Sequence, residues 1–159
     1  MGQPLVDLNA LDLTRDVVPE AELRAILPHR GRFQLLDGVC HFDPERQLAI
    51  GYKDWPADAW WAADHVPGKP LMPGVLMIEG AAQIASFLIK KVSGWEIDRF
   101  VGLAGLNDVR FRGQIVPPAR VYFVSGDVKF SGRRMARMPA QVFSKGQMTV
   151  ELELLGVML

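Results

Sequence analysis

Two side chains near the middle of the chain are of types that move protons, and both are oddly placed for structural residues. Glu79 lies in the run from Gly74 to Val92, Gly-Val-Leu-Met-Ile-Glu-Gly-Ala-Ala-Gln-Ile-Ala-Ser-Phe-Leu-Ile-Lys-Lys-Val, where nearly all its neighbours are apolar. An ionised carboxylate in such surroundings must be paired or protonated, because burying its bare charge costs on the order of several kcal/mol. A purely structural alternative makes it a helix-start acid bonded to a backbone N–H or to Gln83, four residues on. His65 opens the segment His-Val-Pro-Gly-Lys-Pro-Leu-Met-Pro-Gly, whose prolines and glycines fix an irregular loop just before that run. A rigid loop carrying one imidazole toward a helix start is a workable catalytic layout; the bland alternative is a packed or surface histidine. His29 and His41 are read in that bland way. The start of the run adds a third element: the N–H groups of Gly74 and Val75 have no intrahelical acceptor, and the helix dipole favours negative charge there. An oxyanion fits that point, and Gly74 has no side chain to obstruct it.

The elements that must position these groups follow from the hydrophobic pattern. Pro73 before Gly74, and Ser93-Gly94 after Val92, are the entry and exit signals of a helix, and Lys90 and Lys91 suit its last turn. This helix is apolar on nearly every face, so it must be covered on nearly every side. Glu79 and Gln83 interrupt it too early for a membrane span. Pro19 to Leu27 predicts a short helix ended by Pro28. Phe33 to Phe42 and Arg46 to Lys53 predict strands around an Asp43-Pro44-Glu45 turn. Trp55 to Ala63 reads as a loop with a helical turn, its Trp60 and Trp61 as packing residues. After Gly94 the period becomes two, and Phe100 to Arg112, Val121 to Phe130, Met135 to Phe143 and Met148 to Met158 predict four more strands. The expected architecture is α+β: one long helix wrapped by an antiparallel sheet of about six strands. Residues 1–18, without a clear period, are expected to form an N-terminal arm, and 19–159 a single domain.

The totals exclude several classes. The chain has 159 residues, 49% of them hydrophobic, which is enough for one cored domain and argues against disorder. Net charge is zero, but residues 1–64 carry eleven Asp or Glu against six Lys or Arg, and the remainder reverses that excess. The basic part, concentrated between Arg99 and Lys145, could meet an acidic partner or form a solvated sheet face. A single cysteine, Cys40, rules out an intrachain disulfide and fits a reducing compartment. The first residues lack the features of a secretion signal, so a cytoplasmic location is expected. No nucleic-acid partner or metal is expected.

The stretch from His65 to Gln83, with Met72-Pro73-Gly74 and an acid fourteen residues after the histidine, resembles the signature of the beta-hydroxyacyl-acyl-carrier-protein dehydratases. Leu27-Pro28-His29-Arg30 with Phe33 to Asp37 is similar to that family's opening strand, and Val109 to Arg112 to a later one, so the likeness spans most of Leu27 to Phe130. The resemblance implies a hot-dog fold and conversion of a (3R)-3-hydroxyacyl thioester to the trans-2-enoyl thioester and water. It implies His65 as the base taking the α-proton, Glu79 as the acid meeting the departing hydroxyl, and the Gly74 N–H as holder of the thioester oxygen, with Met72, Val75 and Gln83 beside the substrate. Such chemistry needs all three catalytic elements, because the α-proton is weakly acidic and hydroxide leaves poorly. The resemblance further implies no cofactor, the acyl group being carried on the phosphopantetheine of acyl carrier protein. Arg110, Arg112, Arg120, Arg133, Arg134 and Arg137 are candidate docking residues for that acidic partner. It also implies a homodimer, with a trimer of dimers as a larger form, and His65 of one chain facing Glu79 of the other. Glutamate at position 79 matches the non-isomerising branch.

Two departures bear on substrate choice: Val66 replaces a usual phenylalanine, and Pro117-Pro118-Ala119-Arg120 replaces Pro-Gly-Asp. Pro118 cannot take the positive φ open to glycine. An acyl thioesterase on the same fold, or a non-catalytic acyl-binding module, is the alternative. The His65/Glu79 spacing with Met72-Pro73-Gly74 argues against the first, and the second would not need both residues.

Overall fold

The computed structural model describes residues 2–95 and 98–159. Glu96 and Ile97, between the central helix and the next strand, lie outside the described residues. In chain order the elements are β1 (Val18–Pro19), α1 (Glu20–Ile26), β2 (Gly38–Asp43), β3 (Leu48–Trp55), α2 (Gly74–Val92), β4 (Val101–Phe111), β5 (Ala119–Ser125), β6 (Lys129–Ser131), β7 (Met135–Ser144) and β8 (Gln147–Met158). The strands form one antiparallel sheet in the order β1-β2-β3-β5-β7-β8-β4, with β6 pairing beside β7.

The helix-in-sheet architecture expected from the sequence is present, with α2 bounded as its end signals require. The sheet has eight strands because two short ones, β1 and β6, join the six read from periodicity. The expected strand from Val121 to Phe130 is broken after Ser125, where Asp127 adopts a positive φ of 49°. The expected strand from Phe33 begins only at Gly38; Gly31–Phe33 forms a 3-10 turn instead, so the Leu27-to-Asp37 segment is not an opening strand. Pro19 is the N-cap of α1 rather than part of its first turn.

α2 packs on the concave face of the sheet, where Ala81, Ile84, Phe87 and Leu88 are buried with Phe123, Val142 and Val150. The contact is closest at Gly80: a Cβ there would come within 2.3 Å of the Phe123 ring. The outer face is also apolar. Cys40, Leu48, Ile50, Val124 and Phe143 form a second cluster there, covered by Leu5, Val6, Leu8, Leu11 and Leu13 of the N-terminal segment. Gln141 fastens that segment, accepting from the Leu5 N–H at 2.8 Å and donating to the Gln3 carbonyl at 2.9 Å. Burial pushes the Cys40 thiol up to about 11, so it is an inert core residue.

Candidate active site

Glu79 lies one and a half turns into α2, half-buried, on the side of the helix that faces β4, β7 and β8. Its Oε1 accepts from Gln83 Nε2 at 2.8 Å, the i to i+4 pair that helical spacing permits. Gln83 is itself fixed. Only 1% exposed, it donates to the Phe33 carbonyl at 2.7 Å and accepts from the Leu35 N–H at 3.0 Å. The segment that sequence periodicity reads as strand is thus hydrogen-bonded at Phe33 and Leu35 to a helix side chain instead. The second neighbour of Glu79 is His29, whose Nε2 is 3.4 Å from Oε1. His29 was not expected at the site. Desolvation holds its imidazole below the usual histidine range, and Arg30 and Lys90 act in the same direction against the Glu79 charge.

His29, Glu79 and Gln83 form the polar end of a cavity of about 180 Å³ between α2 and the β4–β8 side of the sheet. The rest of its wall is largely apolar, including Ala85, Ile89, Val101, Leu103, Met138 and Leu154. A carboxylate at the end of an apolar cleft is an arrangement suited to acid–base work on a mostly hydrocarbon ligand.

His65 is elsewhere. It is exposed on the loop before α2, and it does not line the cavity at Glu79. Its Nδ1 is 2.9 Å from the Leu71 carbonyl oxygen. A carbonyl can only accept, so this contact assigns a proton to Nδ1; in the neutral ring Nε2 then carries the lone pair, the form that can act as a base. The loop is braced by the Met72 N–H, which donates to the Ile115 carbonyl at 2.9 Å.

Gly74 begins α2, and among the described residues its N–H and that of Val75 have no acceptor within the chain. The Phe111 ring lies against Gly74; a Cβ there would be 2.6 Å from Phe111 Cε1, so only glycine permits this approach. Of the three residues expected beside the substrate, the structure brings only Gln83 to the cavity. Val75 is 70% exposed, and Met72 is buried beneath the loop. Among the described residues no three His, Cys, Asp or Glu side chains converge as a metal site.

The basic residues divide into two groups. Arg120 bonds Asp54 through two nitrogens, at 2.7 and 2.6 Å, and stacks over the Tyr52 ring. The Arg120 hydrogen bonds hold the Asp54 carboxyl below its usual range. Arg110 and Arg112 both pair with Glu151, and Arg137 with Glu153. Arg133 and Arg134, in the turn between β6 and β7, are exposed and form no ion pair among the described residues.

A family model described as the FabA-like domain matches residues 27–153. The chain belongs to the FabA-like family. Among curated relatives of this FabA-like chain, a 3-hydroxyacyl-[acyl-carrier-protein] dehydratase FabZ from Moorella thermoacetica is 32% identical over 133 residues, covering 84% of this chain and 91% of that protein. The protein of the same name from Clostridium botulinum strain Eklund 17B is 38% identical over 116 residues, covering 70% and 78%. Solved structures agree on the fold. The dehydratase heterocomplex ApeI:P from Xenorhabdus doucetiae superposes with a TM-score of 0.67 at 15% identity, covering 86% of this chain and 90% of that one. TT0310 protein from Thermus thermophilus gives 0.61 at 19% identity, covering 82% and 100%. The architecture of this FabA-like chain is therefore that of the hot-dog fold. Among the described residues no helix is long and apolar enough to cross a membrane.

Proposed function

We propose that this chain is a 3-hydroxyacyl-[acyl-carrier-protein] dehydratase. The observation that carries it is the single carboxyl group, Glu79, clamped at the polar end of an apolar cavity. In the reaction, Nε2 of His65 takes the α-proton, and the C–H electrons become the new Cα–Cβ double bond. Glu79 gives its proton to the 3-hydroxyl, which departs as water with the C–O electrons. The free Gly74 N–H stabilises the charge that gathers on the thioester oxygen. The substrate arrives on the phosphopantetheine arm of acyl carrier protein, and no other cofactor takes part. The apolar wall favours an alkyl substituent, and glutamate at position 79 favours release of the trans-2-enoyl product without isomerisation. A cytoplasmic setting belongs to the same proposal.

The site is shared between two copies of the chain. Two features support this: His65 is outside the cavity that holds Glu79 of its own chain, and among the described residues β4 ends the sheet as an unpaired edge bearing the exposed Leu103, Leu106 and Phe111. An open apolar edge is a pairing surface, and joining β4 to β4 of a second copy removes it. The deciding experiment is turnover of a panel of (3R)-3-hydroxyacyl carrier proteins, followed by the absorbance of the conjugated enoyl product. Water loss from at least one chain length is the expected result. No turnover across the panel overturns the proposal.

A further inference from the structure

Both polar contacts that the chain supplies to Glu79 converge on one oxygen. Oε1 accepts from Gln83 Nε2 and faces His29 Nε2, while among the described residues Oε2 has no partner. Gln83 is committed on every side by Leu35 and Phe33. His29 is committed differently, through its backbone. It follows Pro28, and the Arg30 guanidinium donates to the carbonyls of Arg24, Leu27 and His29 itself at 2.6–2.7 Å. These bonds lock the loop that carries the ring. The ring's other nitrogen, Nδ1, is buried with no partner among the described residues.

We propose that His29 is a positioning residue for Glu79, donating its Nε2–H to Oε1 so that the proton used in the reaction is carried on Oε2. This rests on the dehydratase reading of the site. A neutral imidazole has one N–H to place. On Nδ1 it would be a buried donor without an acceptor, whereas on Nε2 it meets the carboxyl oxygen. The doubly protonated ring is disfavoured by burial and by Arg30 and Lys90, with Glu79 alone opposing them. His29 therefore remains a single fixed donor. The separation of 3.4 Å is slightly longer than an ideal N–H···O bond. Contacts of this kind tighten when substrate fills the site. With both donors on Oε1, a proton added there would be set against two N–H groups, and Oε2 is the oxygen left to carry it.

Two measurements test the assignment. The first compares His29→Leu with His29→Gln in steady-state turnover of carrier-bound substrate. Leucine fills the space without a donor; glutamine places an amide N–H near the position of Nε2. His29→Leu is expected to lower kcat about tenfold with KM changed less than about twofold, and His29→Gln to recover most of the loss. Wild-type kcat in His29→Leu, or equal loss in both variants, overturns the proposal, the second because it marks a packing role. The second measurement needs no turnover: nitrogen NMR of the His29 ring in the wild-type chain and in Glu79→Gln. The Nε2–H tautomer is expected, with a titration midpoint that moves down when the Glu79 charge is removed. A midpoint unmoved by Glu79→Gln overturns the contact. Coupled titration in a chain that dehydrates nothing would leave the contact standing and remove only the dehydratase reading.

Discussion

Glu79 and His65 are fourteen residues apart, yet the fold treats them in opposite ways. Glu79 rides on a buried helix and is held by Gln83, which is itself tied to Phe33 and Leu35. His65 stands in solvent on a loop, with one ring nitrogen bonded to Leu71 and the other without a partner among the described residues. Glu79 is preorganised within the chain. His65 has Nδ1 engaged, but among the described residues nothing gives its Nε2 a partner. The same division runs through the six candidate docking arginines: four are bound to carboxylates, while among the described residues Arg133 and Arg134 are not. Groups that the fold satisfies internally build the site, and groups that it leaves open are those available to a second molecule.

Removing either member of the acid–base pair tests this contrast most severely. His65→Ala and Glu79→Gln should each reduce dehydration by at least roughly a hundredfold, with circular dichroism showing the fold retained. Full activity in either variant would remove that residue from the mechanism. Co-refolding the two inactive variants is the sharper experiment. Random pairing makes about half the dimers mixed, and each mixed dimer has one intact site if the site is shared, so activity should return to about a quarter of wild type. A dead mixture, with mixed dimers confirmed by mass, would place both residues in one chain.

Breaking the clamp should cost stability and rate together. Gln83→Leu leaves the Leu35 N–H and the Phe33 carbonyl without their partner, and the loss expected from urea unfolding is about 2–4 kcal/mol. Unchanged stability would mean those groups find other partners. Weaker effects are expected among the arginines. Reversing Arg133 and Arg134 to glutamate should raise KM for carrier-bound substrate severalfold, with little change for a small thioester analogue. Equal effects on both substrates would make the turn an ordinary solvated surface. Arg120→Gln, by contrast, should change stability by only about 0–1 kcal/mol at neutral pH. Because Arg120 depresses the Asp54 pKa, that contribution is present above the unfolded value of about 3.9 and is lost as pH falls through the lower folded value. The Tm gap between Arg120→Gln and wild type should therefore close toward pH 3. A gap constant with pH would detach it from the Asp54 pair.

The long elements were legible in the sequence because each carries its own signal. Pro73 and Ser93-Gly94 mark the ends of α2, and period-two alternation marks the long strands. What escaped depends on partners far along the chain. Leu35 and Leu36 alternate with nothing that distinguishes a strand, and the Leu35 N–H is taken by a side chain 48 residues away. His29 is one histidine after a proline; its meaning comes from α2 lying opposite, which local pattern does not encode. The N-terminal leucines show no period of their own because they match the outer face of the sheet rather than a helix axis. The motif from His65 to Gln83 singles out Glu79 and His65 as candidates, but chain order alone does not show that their side chains are apart within one subunit.

The bare position at Gly80 gives α2 a ruler. The edge of the Phe123 ring occupies the space where a side chain would be, so the helix axis is seated at a depth defined by that ring edge. Glu79 is the preceding residue, and its carboxyl inherits that depth. Adding even a methyl group at position 80 would lift the helix from the sheet and carry the acid outward with it, detuning the chemistry from a point that never touches the substrate.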